Sequence, residues 1–188
     1  DLSPYEETLL IDVDYLTFNN QLKDYFGGNH EFLCYDRVWD VTHTDSMKND
    51  ATMTLAGHPM LWATVVYFRK CELAHRIFEM MKNIQTTWYY QSKFWGFSSR
   101  NYRNDFSLTL AHQLMQGYQH GTTFNHPLPS LSTMDTIYKV KDSELLIKYM
   151  YNGSDNAVRI KDTNLHVMNK ACLMDLEIRG ELERYADV

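Results

Sequence analysis

Apolar residues recur at three- and four-residue spacing between positions 71 and 85. Leu73, Ala74, Ile77, Phe78, Met81 and Ile84 fall on one face there, which predicts an amphipathic helix. NDFSLTLAHQLMQG (104–117) predicts a second helix, with Asn104 as its cap, Leu108, Ala111, Leu114 and Met115 along one face, and Gly117 as its stop. Short continuous apolar runs read differently: TLLIDV (8–13) and LWATVVYF (61–68) predict buried strands. Residues 18–26 suit a helical turn that Gly27-Gly28 ends, and 29–58 look irregular with strand candidates such as EFLCYDRVWDV. Residues 121–133, with Pro127, Pro129 and several Ser and Thr, predict a loop. Strand-like pieces follow at 136–140 and 157–160, then NLHVMNKACLMDL. Strands alternate with helices, so the expected class is α/β, as one domain over 1–188 without repeat or linker.

Composition narrows the function classes. A chain of 188 residues that is 44% hydrophobic and 14% aromatic can bury a real core. The net charge of −6 supplies no basic footprint, so nucleic acid is disfavoured as a partner. Cys34, Cys71 and Cys172 are odd in number and lack metal or redox spacing, which predicts reduced thiols and a cytoplasmic setting. No apolar run reaches the length of a membrane span, and no signal peptide is evident. Self-association as a homo-oligomer is compatible with all of this.

One short stretch carries chemistry. In LLIDVDYLTF (9–18) two carboxylates, Asp12 and Asp14, stand two residues apart at the end of an apolar run. In an extended strand both point the same way and repel each other unless they share a cation. A hard divalent ion, Mg²⁺ or Mn²⁺, is the natural partner, and such ions also hold substrate phosphates. A plainer arrangement fits the same residues: one Asp capping a turn and the other solvated.

The surrounding segments carry a family resemblance. SPYEETLLIDVDYLTFNNQL resembles the D-x-D segment of GT-A-fold glycosyltransferases, nearest the glycogenin-like and galactosyltransferase-like branch. MLWATVVYFRKCELAHRIFEMM resembles that branch's following strand and helix, with Trp62-Ala63-Thr64 where the branch has Asn-Ala/Ser-Gly for donor-sugar contacts. YRNDFSLTLAHQL resembles the Asp-Gln-x-x-Leu helix start, with Asp105 matching its Asp and Phe106 replacing its Gln. NLHVMNKACL resembles the C-terminal segment whose His completes the metal site and whose Lys meets the diphosphate, here His166 and Lys170. The resemblance spans nearly the whole chain in order, and the D-x-D and the terminal His are its specific parts.

It implies a GT-A mixed sheet flanked by helices, and a metal-dependent transfer of sugar from a nucleotide diphosphate donor (UDP- or GDP-sugar) to a hydroxyl acceptor. Asp12, Asp14 and His166 are then the expected metal ligands, and Lys170, Trp62 and Arg100 the donor contacts. Asp105 is expected beside the transferred sugar, with Arg103 orienting it or meeting phosphate. A metal and a Lys suit such a leaving group, because charge develops on its oxygens. Each residue also has a structural reading: Asp105 as a carboxylate favoured at a helix N-terminus, His166 in the core or on the surface, Lys170 solvated, Arg100 and Arg103 exposed. HGTTFNHPLPS (120–130) suits a flexible lid over the acceptor.

Only eleven residues precede Asp12, too few for the strands that bind base and ribose in that fold, so we expect them upstream of Asp1. Two other classes compete: an inactive glycosyltransferase-like binding protein, and a metal-dependent phosphotransferase or nuclease using the Asp pair.

Overall fold

A computed structural model describes residues 3–43, 57–97, 101–118, 121–175 and 180. Along the chain run β1 (Glu7–Ile11), β2 (Tyr15–Leu16), a 3₁₀ helix (Gln21–Tyr25), β3 (Phe32–Tyr35), β4 (Val38–Asp40) and β5 (Trp62–Arg69). Then come α1 (Glu72–Thr86), α2 (Trp88–Phe94), α3 (Asn104–Met115), β6 (Leu128–Leu131), β7 (Thr136–Lys141), β8 (Glu144–Tyr151), β9 (Ser154–Lys161), β10 (Leu165–Val167) and α4 (Lys170–Leu173). The class is mixed α/β. The chain divides into two compact units, one of Asp1–Asp12, Asp24–Arg37 and Lys48–Pro127, the other of Val13–Lys23, Val38–Met47 and Leu128–Val188.

In the first unit β5 is the middle of a three-stranded antiparallel sheet ordered β1-β5-β3. Its central residues Thr64–Phe68 are all buried, which is why the apolar run LWATVVYF reads without alternation. Helices α1 and α3 complete the core: Ala74, Ile77 and Ile84 of α1 meet Phe106, Leu108, Leu110 and Ala111 of α3 beside Phe32, Val66 and Phe68. The α1 stripe is thus the one its periodicity predicts. Helix α3 departs from expectation twice. Its N-cap is Arg103 rather than Asn104, which is already helical, and no side chain caps it. Its burial is not one face either, because every residue from Phe106 to Gln113 is buried.

Two further expectations are corrected. The strand proposed at 8–13 ends at Ile11, and its last two residues are exposed, so it is not a buried strand carried through to Val13. The segment 121–133 is not simply a loop. Phe124 is fully buried against Tyr35, with ring centroids 4.4 Å apart, and Leu128–Leu131 forms a buried strand. Asn125 and His126 are tied to Tyr25 (2.6 Å) and Tyr35 (2.9 Å). A segment anchored this way does not serve as a flexible lid, because opening it would strip a core ring and a strand ladder.

The second unit holds two sheets. One is mixed, ordered β2-β10-β6-β4, with β6 parallel to both neighbours and β10 antiparallel to β2. The other is an antiparallel meander, β7-β8-β9. Ile137, Val140, Leu145 and Ile147 of the meander share a core with Leu131, Leu165, Val167 and Cys172. Asn164, nearly buried, clasps the chain after β2. Its Oδ1 accepts the N–H groups of Phe18 (2.7 Å) and Asn19 (3.0 Å), while its Nδ2 donates to Asn19 Oδ1 (2.8 Å). That clasp fixes how residues 14–19 run beside β10.

Candidate functional site

Within the second unit, Asp14 sits in the turn that follows β1 and enters β2, with only 4% of its surface exposed. Its backbone oxygen accepts the N–H of Val167 at 2.9 Å, which extends the β2–β10 ladder by one bond. That bond sets the Asp14 carboxylate against two side chains from about 150 residues further along. His166 Nε2 lies 3.8 Å from Oδ1, and Lys170 Nζ, at the first turn of α4, lies 2.9 Å from Oδ2. His166 is itself buried, whereas the Lys170 side chain is 74% exposed. A buried carboxylate beside a solvent-facing ammonium and an imidazole has its charge compensated, with the ammonium side of the pair open to solvent. This answers, for Asp14, how an acid is kept at the end of an apolar run.

Asp12 has a different environment. The strand ends before it and the backbone turns over Val13 and Asp14, so strand alternation does not set the two carboxylates on one face. Asp12 is exposed, and its N–H donates to Thr64 O at 2.8 Å. Among the described residues no group of three or more His, Cys, Asp or Glu side chains is arranged to hold a metal ion. Of the expected ligand trio, Asp14 and His166 come together.

Asp105, Arg103 and Trp62 lie in the first unit. Asp105, at the start of α3, uses both carboxylate oxygens: Oδ1 accepts the Ala63 N–H at 2.9 Å and Oδ2 accepts Arg103 at 2.8 Å. These are the bonds of a residue that fixes a helix start against the beginning of a strand. Arg103 is half exposed and lies over the Phe106 ring, 5.4 Å from its centroid. Phe106 itself is stacked on Trp88 (5.6 Å, 25°) and packs on Phe97, so the aromatic residue in place of Gln belongs to the core. Trp62 begins β5, half-buried, opposite Tyr35 across a bulge in β3. Arg100 lies outside the described residues. Of the aromatic-rich stretch 88–97, Trp88 is buried while Tyr89 and Tyr90 face solvent.

Sequence reading does not single out the polar row beside His166. Across the mixed sheet, Tyr15, His166, Ser130 and Asp40 occupy paired positions on four adjacent strands, and all four are buried. The signal in the sequence is a lone Ser within PLPSL, masked by two prolines that read as loop.

All three cysteines are free, with Cys34 and Cys172 buried. No helix among the described residues is long and apolar enough to cross a membrane. Compared with known protein families, curated proteins and solved structures, the chain matches none.

Proposed function

We propose that the chain is a glycosyltransferase-like protein of the GT-A type that binds a nucleotide-sugar donor at Asp14, His166 and Lys170 and transfers the sugar to a hydroxyl acceptor. The observation that carries this reading is the meeting of those three side chains. A buried carboxylate has an imidazole nitrogen 3.8 Å from one oxygen and an ammonium 2.9 Å from the other. The resemblance implies Asp12, Asp14 and His166 as ligands and Lys170 as the diphosphate contact, and Asp14, His166 and Lys170 are the members of that set that meet. The order β1-β5-β3, with α1 following the middle strand, is also compatible with the resembling strand and helix.

One carboxylate oxygen and one imidazole nitrogen form a donor set that suits Mn²⁺ or Mg²⁺, provided that phosphate oxygens or water complete the shell. When bound, such an ion would neutralise the charge of the diphosphate leaving group. The protein's own part is to hold that ion by Asp14 and His166 and to present Lys170 to the diphosphate. Lys170 reaches Asp14 from an exposed stem, so it can turn to a phosphate oxygen without unfolding anything.

Asp105 favours a second reading, in which the protein binds the donor without transferring it. Each of its oxygens already accepts a bond at the α3 start, which is what a residue with a purely structural task would do. Calorimetric titration with UDP and with GDP, each with and without Mn²⁺, tests the donor site. Release of free sugar or its transfer to an acceptor then separates the two readings. Absence of joint nucleotide and metal binding overturns both.

A further inference from the structure

His112 is 1% exposed in the last turn of α3, and neither of its ring nitrogens has a hydrogen-bond partner. The ring edge that carries both nitrogens is turned to Gly121. A Cβ built on that glycine would lie 2.1 Å from Cε1, 2.5 Å from Nε2 and 3.3 Å from Nδ1. The Phe32 ring lies 5.9 Å away. Phe124, just beyond Gly121, is fully buried, and its N–H donates to Cys34 O at 3.2 Å. A polar ring taken out of water without partners is unfavourable, and a charged one far more so.

The titratable groups on the elements packed around α3 are engaged or face solvent. On α1, Glu72, His75, Arg76, Glu79 and Lys82 are exposed, as are Tyr89, Tyr90 and Lys93 on α2. On β5, Arg69 and Tyr67 are bonded to Glu7. At β3, Glu31 is exposed, burial pushes the Cys34 thiol up, and Asp36 lies 3.5 Å from Arg37. Asp105 is taken by Ala63 and Arg103, and His126 by Tyr35 and Asn125. Neutral, the His112 ring fits its place. Protonated, it brings a second N–H and a charge to an edge that a glycine covers. We propose that His112 is an acid-operated latch of the first unit: on taking up a proton the ring leaves the Gly121 edge, and the last turn of α3 loosens together with residues 121–124. The sign follows from burial, which holds the His112 pKa below its ordinary 6.5. The unfolded or opened chain takes up the proton first, so the closed state is fully favoured above 6.5 and loses ground as pH falls below it. Glu7 acts only below about 4.5, so the two windows are separate. The latch is also independent of the donor-site reading, whose three residues belong to the second unit.

Amide hydrogen exchange in the full chain, corrected for the intrinsic rate at each pH, tests the latch. The informative amides are Gln116, whose N–H donates to His112 O at 2.9 Å, and Phe124. In the wild type their protection should fall by up to about tenfold per pH unit below 6.5, the slope for one proton taken up on opening. His112→Leu and His112→Gln cannot take up that proton, so protection should stay level across the same window. His58 and His126 are also held below their ordinary pKa by burial, so His58→Gln and His126→Gln are the controls and should keep the fall. A wild type that stays level, or an equal fall in both His112 variants, overturns the proposal. Ring ¹⁵N shifts of the wild type give a reading that needs no variant. A His112 that charges near 6.5 while Phe124 stays protected overturns the latch as well.

Discussion

Asp105 Oδ1 accepts the Ala63 N–H at 2.9 Å, so the first turn of α3 and the start of β5 are tied by one side chain. Its other oxygen holds Arg103 at 2.8 Å. Asp105→Asn keeps a carbonyl oxygen for Ala63 but turns a neutral group toward Arg103, and should cost about 1 kcal/mol. Asp105→Ala leaves the Ala63 N–H without this acceptor and should cost about 2–3 kcal/mol, since bonds to charged groups are the stronger ones. Urea unfolding of both variants reads the difference. If Asp105 also serves the sugar, Asp105→Asn will lower turnover far more than it lowers stability.

Glu7 gives the fold a pH dependence of known sign. Its carboxylate accepts from Arg69 (2.8 Å), from the Tyr67 hydroxyl (2.7 Å) and from the Gly27 N–H (3.0 Å), and Arg69 also donates to Gly28 O. The Arg69 hydrogen bond first, then Tyr67 and Gly27, pull the Glu7 carboxyl from 4.5 down to about 2. A group whose folded pKa is depressed stabilises the fold fully above its unfolded value and loses that contribution as pH falls through the folded one. The Glu7 share is therefore complete above about pH 4.5 and disappears towards pH 2. Melting temperatures of wild type and Glu7→Gln should differ at neutral pH and converge in that window. A constant gap across it would remove Glu7 from the account.

Gly121 should tolerate nothing larger. A Cβ built there would lie 2.1 Å from Cε1 and 2.5 Å from Nε2 of His112. His112 cannot move aside easily, because it is 1% exposed within α3 and lies 5.9 Å from the Phe32 ring. Gly121→Ala should therefore cost about 1–3 kcal/mol through overpacking. Double substitution with His112→Ala should recover part of that loss, and equal losses with and without His112 would refute the contact.

How much of this was legible in the sequence depended on the range of the interaction. Helix α1 and strand β5 follow from local periodicity, since each has the pattern of the surface it buries. Strand β6 does not, because Pro127 and Pro129 argue against a central strand, and only pairing with β10 and β4 overrides them. Helix α2, WYYQSKF, is rich in residues of middling helix propensity and has no apolar stripe to reveal it. The Asp12–Asp14 spacing predicts a shared face only if the strand continues, and it stops at Ile11. The approach of His166 and Lys170 to Asp14 has no local signature. It came from resemblance, and its physical basis is the β2–β10 ladder with the Asn19–Asn164 clasp beside it.

That approach gives the last prediction, a separation of roles between Asp14 and Lys170. Lys170 is 74% exposed at its side chain and its pair with Asp14 is open to solvent, so removing it should change stability by no more than about 1 kcal/mol. Under the donor-site reading, Lys170→Gln weakens binding of the nucleoside diphosphate but leaves it dependent on Mn²⁺, because Asp14 and His166 persist. Asp14→Asn acts differently. It removes a charge that both neighbours face, so nucleotide binding should lose its response to Mn²⁺, and turnover, if present, should nearly vanish. Titrating UDP against the two variants with and without Mn²⁺ resolves the pattern. Equal Mn²⁺ dependence in Asp14→Asn and wild type would mean that the ion binds elsewhere, and the buried carboxylate would then stand as a structural partner of Lys170.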